Sequence, residues 1–286
     1  MKCVEIDDLT FKYENNTIFK NFSLDLYTKN CYVLSGLNGC GKSTLLKIIG
    51  GKSLCEAERV KVLLKDPFRD TSLNNDITFI NNDWGTKTVA YTGYNIPIQS
   101  SLKVNEMMVA LKKRYPERNS ELLDILDINQ EWVLNALSEG QRKRVQLYLS
   151  LIQPFKICLL DEITVNLDLL VKDKLMKYLK NETLQRECCI VYVTHIFDGL
   201  EDWCTRLLYL KKSNVIENTN IENIPNIYKY LLSRFKIEYT KEMEATSEID
   251  KPKEKEANNY INNASKKNAG GYTSGVLIGV NVSQYN

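Results

Sequence analysis

The sequence has no apolar run that approaches the length of a membrane-spanning helix, about 18 residues or more. It also lacks a strong charge of either sign, because 38 basic and 36 acidic residues leave a net charge of +2. This balance gives no direct indication of nucleic acid or of an anionic membrane as a partner. Acidic residues interrupt the first positions of the chain, so the N-terminus is not predicted to be a signal peptide. These absences predict a soluble chain without a membrane span of its own.

Paired cysteines are missing as well. None of the eight cysteines belongs to a C-x-x-C pair, and several stand in apolar runs that are typical of core strands. We therefore expect reduced thiols and a location in the cytoplasm or the nucleus, where disulfides are rare. At 286 residues the chain is long enough to bury a core without metal or disulfide cross-links.

The most informative segment is a glycine-rich loop that fits the phosphate-binding pattern G-x-x-x-x-G-K-[ST]. A buried-strand pattern at residues 31–35 precedes it and a helical run at 45–49 follows it. In this setting the backbone N–H groups and the helix N-terminus would bind a phosphate. Lys42 would reach the β- and γ-phosphates of a nucleotide, and the hydroxyl of Ser43 would ligate Mg²⁺. A glycine-rich turn that binds nothing is the alternative, which the flanking strand and helix disfavour. The loop consists of Gly36, Leu37, Asn38, Gly39, Cys40, Gly41, Lys42, Ser43 and Thr44.

Two acidic residues end a second apolar run. Asp161 and Glu162 follow residues 157–160, and successive side chains of a strand point in opposite directions, which favours two separate roles. Asp161 would hold Mg²⁺ through a water molecule, and Glu162 would polarise the water that attacks the phosphate. Strand ends often carry acids, so this motif is informative only in combination with the phosphate loop.

A second anion-binding group is predicted where a long helix begins, at Leu137-Ser138-Glu139-Gly140-Gln141. The hydroxyl of Ser138 and the bare backbone at Gly140 would face an anion at the helix N-terminus. Ser138 followed by Gln141 is also a capping box, and the two interpretations are compatible.

His195 is the one histidine of the sequence and follows the apolar run 189–193. A single histidine is more often structural than catalytic. Here, however, it would reach a γ-phosphate from the strand that neighbours the strand of Asp161.

The apolar patterns predict an α/β fold. Val4 to Leu26 alternates with period 2, which is typical of antiparallel strands, whereas 157–160 and 189–193 are typical of strands buried on both faces of a parallel sheet. A helix over 169–180 would connect the latter two in right-handed order. The remaining predicted elements are helices at 104–113, 121–126 and 141–153, a short strand at 60–64 and a polar loop at 68–88.

The composition changes near the C-terminus. Residues 225–235 predict an amphipathic helix, and 241–268 carry mixed charges with few aliphatic residues, which indicates a solvated or disordered segment. The apolar stretch that follows would either pack on the domain or bind a partner. We expect a catalytic domain over 1–217, a helical extension over 218–240 and a charged, flexible tail over 241–286.

In order and approximate spacing, these motifs resemble the ATP-binding cassette (ABC) ATPases over residues 2–217. The resemblance implies a phosphate-loop NTPase fold with an antiparallel β subdomain, a mixed or parallel core sheet and a small helical lobe. It implies that two cassettes bind two ATP molecules head to tail, with Mg²⁺, and hydrolyse them. Because this chain carries one cassette, it should form a homodimer or pair with a second ABC cassette.

The resemblance also implies roles for single residues. Tyr13 matches the aromatic residue that stacks on adenine, and His195 matches the switch histidine beside the catalytic Glu162. Ser138 and Gly140 match the signature that binds the γ-phosphate held by the opposite subunit. Asp168 matches the acid of the D-loop, which lines the dimer seam.

A closer resemblance is to the I-type ABC proteins, which lack membrane domains. It rests on Asp66-Pro67-Phe68, on 142–147, on 160–168 and above all on 194–200. This group includes a yeast factor of the CCR-NOT mRNA-regulation complex, so the resemblance implies ATPase activity and association with a protein complex. Tyr94 stands where the family usually has Gln, which predicts slow basal turnover and no requirement for a membrane subunit.

The sequence therefore predicts an ATPase module of a protein complex, and the resemblance implies a complex of mRNA regulation. A detachable ATP-binding subunit of an ABC transporter is the alternative. A translation-factor-like protein is disfavoured because such proteins usually carry two cassettes, and an inactive scaffold is disfavoured by Glu162 together with His195.

Overall fold

The computed structural model describes residues 1–14, 16–56, 58–81, 84, 86–88, 95–97, 101–211 and 214–249. The chain divides into two units, Met1–Phe235 and Lys236–Asn286. Within the described ranges, none of the helices combines the length and the apolar character that crossing a membrane requires.

The secondary structure is a mixture of strands and helices that begins with a pair of long strands. The strands are β1 (Lys2–Tyr13), β2 (Asn16–Tyr27), β3 (Asn30–Ser35), β4 (Val60–Val62), β5 (Ile77–Ile80), β6 (Thr86–Thr88), β7 (Asn95–Pro97), β8 (Ile157–Asp161), β9 (Cys189–Val193), β10 (Arg206–Lys211) and β11 (Asn214–Asn220). The α-helices are α1 (Lys42–Ile49), α2 (Val109–Arg114), α3 (Pro116–Ile125), α4 (Glu139–Leu151), α5 (Leu169–Arg186) and α6 (Ile227–Ile249). Short 3-10 helices occupy Thr71–Asn75, Val104–Glu106, Leu134–Ala136 and Ile221–Asn223.

The first two strands belong to an antiparallel sheet in the order β2-β1-β4. Apolar side chains of β1 and β2 are buried on one face, as the period-2 pattern requires, with irregular register where bulges interrupt the pairing. The antiparallel strands predicted from the alternation are thereby confirmed. The buried side chains are Val4, Ile6, Leu9, Phe11, Phe19, Phe22, Leu24 and Leu26.

The central sheet has six strands in the order β11-β10-β3-β9-β8-β5. Its inner pairs are parallel, and β11 pairs antiparallel with β10 at one edge, so the sheet is mixed. Neighbouring residues of β8 belong to different apolar clusters, Cys158 and Leu160 to one and Ile157 and Leu159 to the other. Because both faces are covered, every position of such a strand must be apolar.

Two predictions of local structure are wrong. The predicted loop 68–88 contains β5, which pairs in parallel with β8. As an edge strand it buries only Ile80 fully, so its apolar pattern is weak. The helix predicted over 104–113 is interrupted, because Met108 adopts a left-handed φ of 50° between the 3-10 turn Val104–Glu106 and α2.

The C-terminal part of the described chain is helical. The helix predicted at 225–235 overlaps α6 from Ile227 onward, and α6 also includes 241–249, a segment that its composition assigned to the tail. Residues 250–286 lie outside the described residues. The domain limits at 217 and 240 stay predictions.

Candidate functional site

The glycine-rich loop connects β3 to α1, and its backbone approaches other segments so closely that side chains are excluded. A Cβ added at Gly36 would stand 2.1 Å from the carbonyl oxygen of Leu210. Gly41, which caps α1, has a φ of 105°, and a Cβ there would meet Ile18 Cγ2 at 2.9 Å. Glycine is required at both positions, and the first N–H groups of α1 stay accessible to an anion.

Lys42 is the first residue of α1, and its ammonium group turns back across the loop. Its Nζ donates to the carbonyl oxygens of Gly36 and Leu37, each at 2.9 Å. Because the side chain is 7% exposed, the charge is held close to the loop backbone. A phosphate bound by the loop would meet this cation without a large movement of the side chain.

Asp161, at the end of β8, lies close to the hydroxyl of Ser43, the second residue of α1. Burial raises the pKa of the Asp161 carboxyl, and the neighbouring charge of Glu162 acts in the same direction, whereas the Ser43 hydroxyl opposes the shift. A partly buried carboxylate beside a hydroxyl fits the hard oxygen donors that Mg²⁺ prefers. In the described residues no group of three or more His, Cys, Asp or Glu is arranged to hold a metal ion. Such a pair is still sufficient for an ion that keeps most of its waters and shares the phosphates.

Glu162 and His195 follow the neighbouring parallel strands β8 and β9, whose last residues Asp161 and Val193 are paired. The backbone N–H of Glu162 donates to the carbonyl oxygen of Val193 at 3.0 Å, and Glu162 adopts a left-handed φ of 52°. Nε2 of His195 lies 3.2 Å from Oε1 of Glu162, with both side chains roughly half exposed. The fold therefore places a carboxylate and an imidazole side by side at the carboxyl edge of the sheet.

A cavity of about 500 Å³ joins this pair to the phosphate loop. Three of its lining residues were not predicted as site residues. Val193 directly precedes the segment of His195, whereas Asn16 and Ile18 lie on β2, and only the packing of the antiparallel sheet over Gly41 reveals them. The lining consists of Asn16, Ile18, Asn38, Gly39, Gly41, Lys42, Ser43, Thr44, Glu162, Val193 and His195.

None of the three predicted residues Ser138, Gly140 and Asp168 lines that cavity. Ser138 begins α4 with the predicted capping box: Gln141 N donates to its Oγ at 3.2 Å, and Ser138 N donates to Gln141 Oε1 at 3.0 Å. A Cβ added at Gly140 would stand 3.0 Å from the carbonyl oxygen of Asn166, so α4 begins directly against the segment before α5.

Two other predicted residues, Tyr13 and Cys40, are not among the described residues that line the cavity. Tyr13 is half exposed, packs edge-on against Phe11 and has its hydroxyl 3.5 Å from Ser53 Oγ. Cys40 is buried beneath the loop. Tyr94 lies outside the described residues.

A strand–loop–helix anion site with two acids at the end of a parallel strand defines a phosphate-loop NTPase. The family model described as ABC transporter matches residues 19–165. The chain belongs to the ABC transporter family, and it is an ATP hydrolase built on the ATP-binding cassette.

Two relatives have similar sequences over most of their length. ABC transporter I family member 20 of Arabidopsis thaliana is 38% identical, with 81% of this chain and 74% of that protein covered. CCR4-associated factor 16 of Saccharomyces cerevisiae is 34% identical, with 77% and 79% covered.

Solved structures support the fold. The ATP-binding subunit of an ABC transporter has a TM-score of 0.64 at 19% identity and covers 78% of this chain and 91% of its own. A dimeric ATP-binding cassette in a post-hydrolysis state, bound to ADP and Pi, has a TM-score of 0.61 at 23% identity and covers 76% and 98%.

Proposed function

We propose that the chain binds Mg-ATP in the 500 Å³ cavity and hydrolyses it between two cassettes paired head to tail. The observation that carries this proposal is the 3.2 Å contact between His195 Nε2 and Glu162 Oε1 at the mouth of the phosphate loop. A carboxylate in this place is within reach of a water molecule attacking a γ-phosphate, which is the geometry that a general base requires.

Each group of the cavity has one task in this proposal. The loop backbone and Lys42 bind the β- and γ-phosphates, and Ser43 and Asp161 would hold Mg²⁺. When bound, the ion neutralises charge that develops on the phosphate oxygens. Glu162 takes the proton of the attacking water, and His195 donates a hydrogen bond toward the γ-phosphate. Tyr13 would contact the adenine from the end of β1.

The second cassette supplies what the cavity lacks in this proposal. Ser138 and Gly140 stand at an accessible helix N-terminus, which attracts anions, yet they do not line the cavity of their own chain. A head-to-tail dimer would bring them to the γ-phosphate of the partner. Asp168 would lie at the seam.

We further propose that the ATPase works as a module of a protein complex, in the cytoplasm or the nucleus. The name of the yeast relative, CCR4-associated factor 16, supports association with a complex. None of the eight cysteines belongs to a C-x-x-C pair, and a chain of this kind fits a reducing compartment. A detachable transporter subunit is the alternative, and the name of the Arabidopsis relative, ABC transporter I family member 20, favours it.

Glu162→Gln tests the catalytic proposal. Turnover is expected to fall about 100-fold or more while ATP still binds and an ATP-bound dimer accumulates, because only the proton acceptor is lost. Glu121→Gln, an exposed position on α3, is the matched control. Unchanged turnover in Glu162→Gln contradicts the role of Glu162.

Ser138→Arg tests the two-subunit site. Ser138→Arg should bind ATP as a monomer but neither dimerise nor hydrolyse; normal monomeric hydrolysis contradicts the shared site.

Affinity purification tests the association with a complex. Purification of the full chain as Glu162→Gln with ATP should recover a stable set of partner proteins. A stoichiometric multi-span membrane protein in that set would favour the transporter alternative.

A further inference from the structure

Tyr192 lies beneath the two residues proposed to act on ATP. It is the penultimate residue of β9, its side chain is fully buried, and its strand neighbours are Leu160 on β8 and Val33 on β3. The segment of His195 continues directly from β9, and the segment of Glu162 continues from the neighbouring strand β8. A buried phenol usually finds hydrogen-bond partners in the segments next to it.

The partners of the phenol are one threonine from each segment. The hydroxyl of Tyr192 lies 2.7 Å from Oγ1 of Thr164, two residues after Glu162, in a buried contact. The side chain of Thr194, which directly precedes His195, is also close enough to this hydroxyl to lower the pKa of the phenol. The phenol therefore connects the segment after Glu162 to the segment that carries His195.

Thr194 extends this connection to the far side of the imidazole. Its Oγ1 accepts from Ile196 N at 3.0 Å and donates to the carbonyl oxygen of Ile196 at 3.3 Å. The residues on either side of His195, Thr194 and Ile196, are thus joined to each other through the Thr194 hydroxyl. A shift of Thr194 would move the ring nitrogen that lies 3.2 Å from Glu162.

The ring of Tyr192 has little freedom to move. It packs edge-on against Trp203, with 5.8 Å between the ring centroids. Burial raises the pKa of the phenol, although its two threonine partners oppose the shift, so the hydroxyl stays protonated and donates one hydrogen bond. A neutral, fixed hydroxyl between two loops is suited to set their spacing.

We propose that Tyr192 is a positioning residue that holds Glu162 and His195 at their mutual distance through the bridge Thr164–Tyr192–Thr194. The inference rests on the proposed function of that pair. In this proposal the hydroxyl of Tyr192 has a role in turnover. Packing in the apolar strand β9 does not require this hydroxyl, since phenylalanine would fill almost the same volume.

Tyr192→Phe removes the bridge and keeps the ring. The full chain is expected to lose about tenfold in kcat, with KM for Mg-ATP changed less than about twofold, because misplacement of catalytic groups affects the transition state more than binding. Tyr178→Phe is the matched control, since the Tyr178 hydroxyl is buried and has no hydrogen-bond partner among the described residues. It should leave kcat unchanged.

The single histidine gives a second readout that a general loss of stability would not move. In protein isotopically labelled at histidine, the NMR resonances of the His195 ring should shift in Tyr192→Phe and should not shift in Tyr178→Phe. Thr164→Val breaks the same bridge from the other end, so its effect on kcat should not add to that of Tyr192→Phe in the double variant. Thr164→Val also tests the bridge should Tyr192→Phe fail to fold.

Two results would overturn the inference: His195 resonances and kcat in Tyr192→Phe that match Tyr178→Phe, or fully additive effects of Tyr192→Phe and Thr164→Val. Failure of the proposed function is recognised separately, by unchanged turnover in Glu162→Gln. In that case the His195 resonances alone decide whether Tyr192 positions the imidazole.

Discussion

Arg144, on α4, donates from Nη2 to Oδ2 of Asp168 at 2.5 Å. Asp168 at the same time caps α5, because its Oδ1 accepts from Val171 N at 3.0 Å. The Val171 amide and the charge of Arg144 lower the pKa of the Asp168 carboxyl, which therefore stays ionised. This ion pair thus joins α4, whose N-cap is Ser138, to the end of the segment that begins at Glu162 and leads to α5.

Arg144→Gln should uncouple these two segments. If they meet a second cassette together, we expect turnover to fall about tenfold while ATP binding to the monomer is kept, because the dimer-facing groups lose their mutual alignment. Asp127→Asn is the control, since Asp127 is the second partner of Arg144 at 2.9 Å but is 82% exposed and should contribute little. Turnover and nucleotide affinity are measured on both; equal turnover in Arg144→Gln and Asp127→Asn contradicts the coupling.

Asp161→Asn should separate stability from activity. The pKa of Asp161 is raised above its ordinary value of 3.8, so its stabilising contribution is complete below that value and is lost as the pH rises through the folded pKa. At neutral pH the ionised side chain therefore destabilises the chain without ligand. We expect Asp161→Asn to raise the melting temperature there, with a difference that shrinks as the pH falls toward the ordinary value.

The same variant should lose the response to ligand. Mg-ATP is expected to raise the melting temperature of the unaltered chain by mass action and to have little effect on Asp161→Asn. Thermal melts with and without Mg-ATP across pH give both results. A variant that melts lower without ligand, or that responds to Mg-ATP normally, would contradict this account of Asp161.

The sequence predicts those parts of the site that depend on local pattern. β3, the phosphate loop and α1 are contiguous, so one motif specifies them, and the apolar runs of β8 and β9 place Glu162 and His195 on neighbouring strands. Asn16 and Ile18 could not be predicted from the sequence, because they lie on β2 of the antiparallel sheet and only the packing of that sheet brings them to the cavity. The same holds for the bridge at Tyr192, which depends on two threonines that only the register of β8 and β9 brings together.

A buried ion pair connects α3 to the core. Arg118 Nη1 lies 2.6 Å from Glu182 Oε2 with both side chains 6% exposed, and Arg118 Nε donates to the carbonyl oxygen of Leu151 at 2.7 Å. Arg118→Met should lower the free energy of unfolding by about 3 kcal/mol, because among the described residues the buried carboxylate of Glu182 then keeps one ion-pair partner, Arg186. Lys177→Met, which breaks the exposed pair with Asp173, should cost less than about 0.5 kcal/mol. Denaturant unfolding compares the two; equal costs would mean that burial does not decide the contribution of the Arg118 pair.

Lys42→Ala should abolish ATP binding and leave the fold intact. The ammonium group of Lys42 lies 2.9 Å from the carbonyl oxygens of Gly36 and Leu37, at the mouth of the cavity, and is the lysine among the lining residues. Its loss removes the cation that meets the β- and γ-phosphates, and the neutral loop N–H groups that remain are expected to bind ATP at least about 100-fold more weakly. Lys61→Ala, an exposed position on β4, controls for the loss of a positive charge elsewhere. Titration with a fluorescent ATP analogue and a thermal melt without ligand are the measurements. Lys42→Ala that binds the analogue as tightly as Lys61→Ala would mean that the phosphates are held elsewhere, and the cavity would no longer be the nucleotide site.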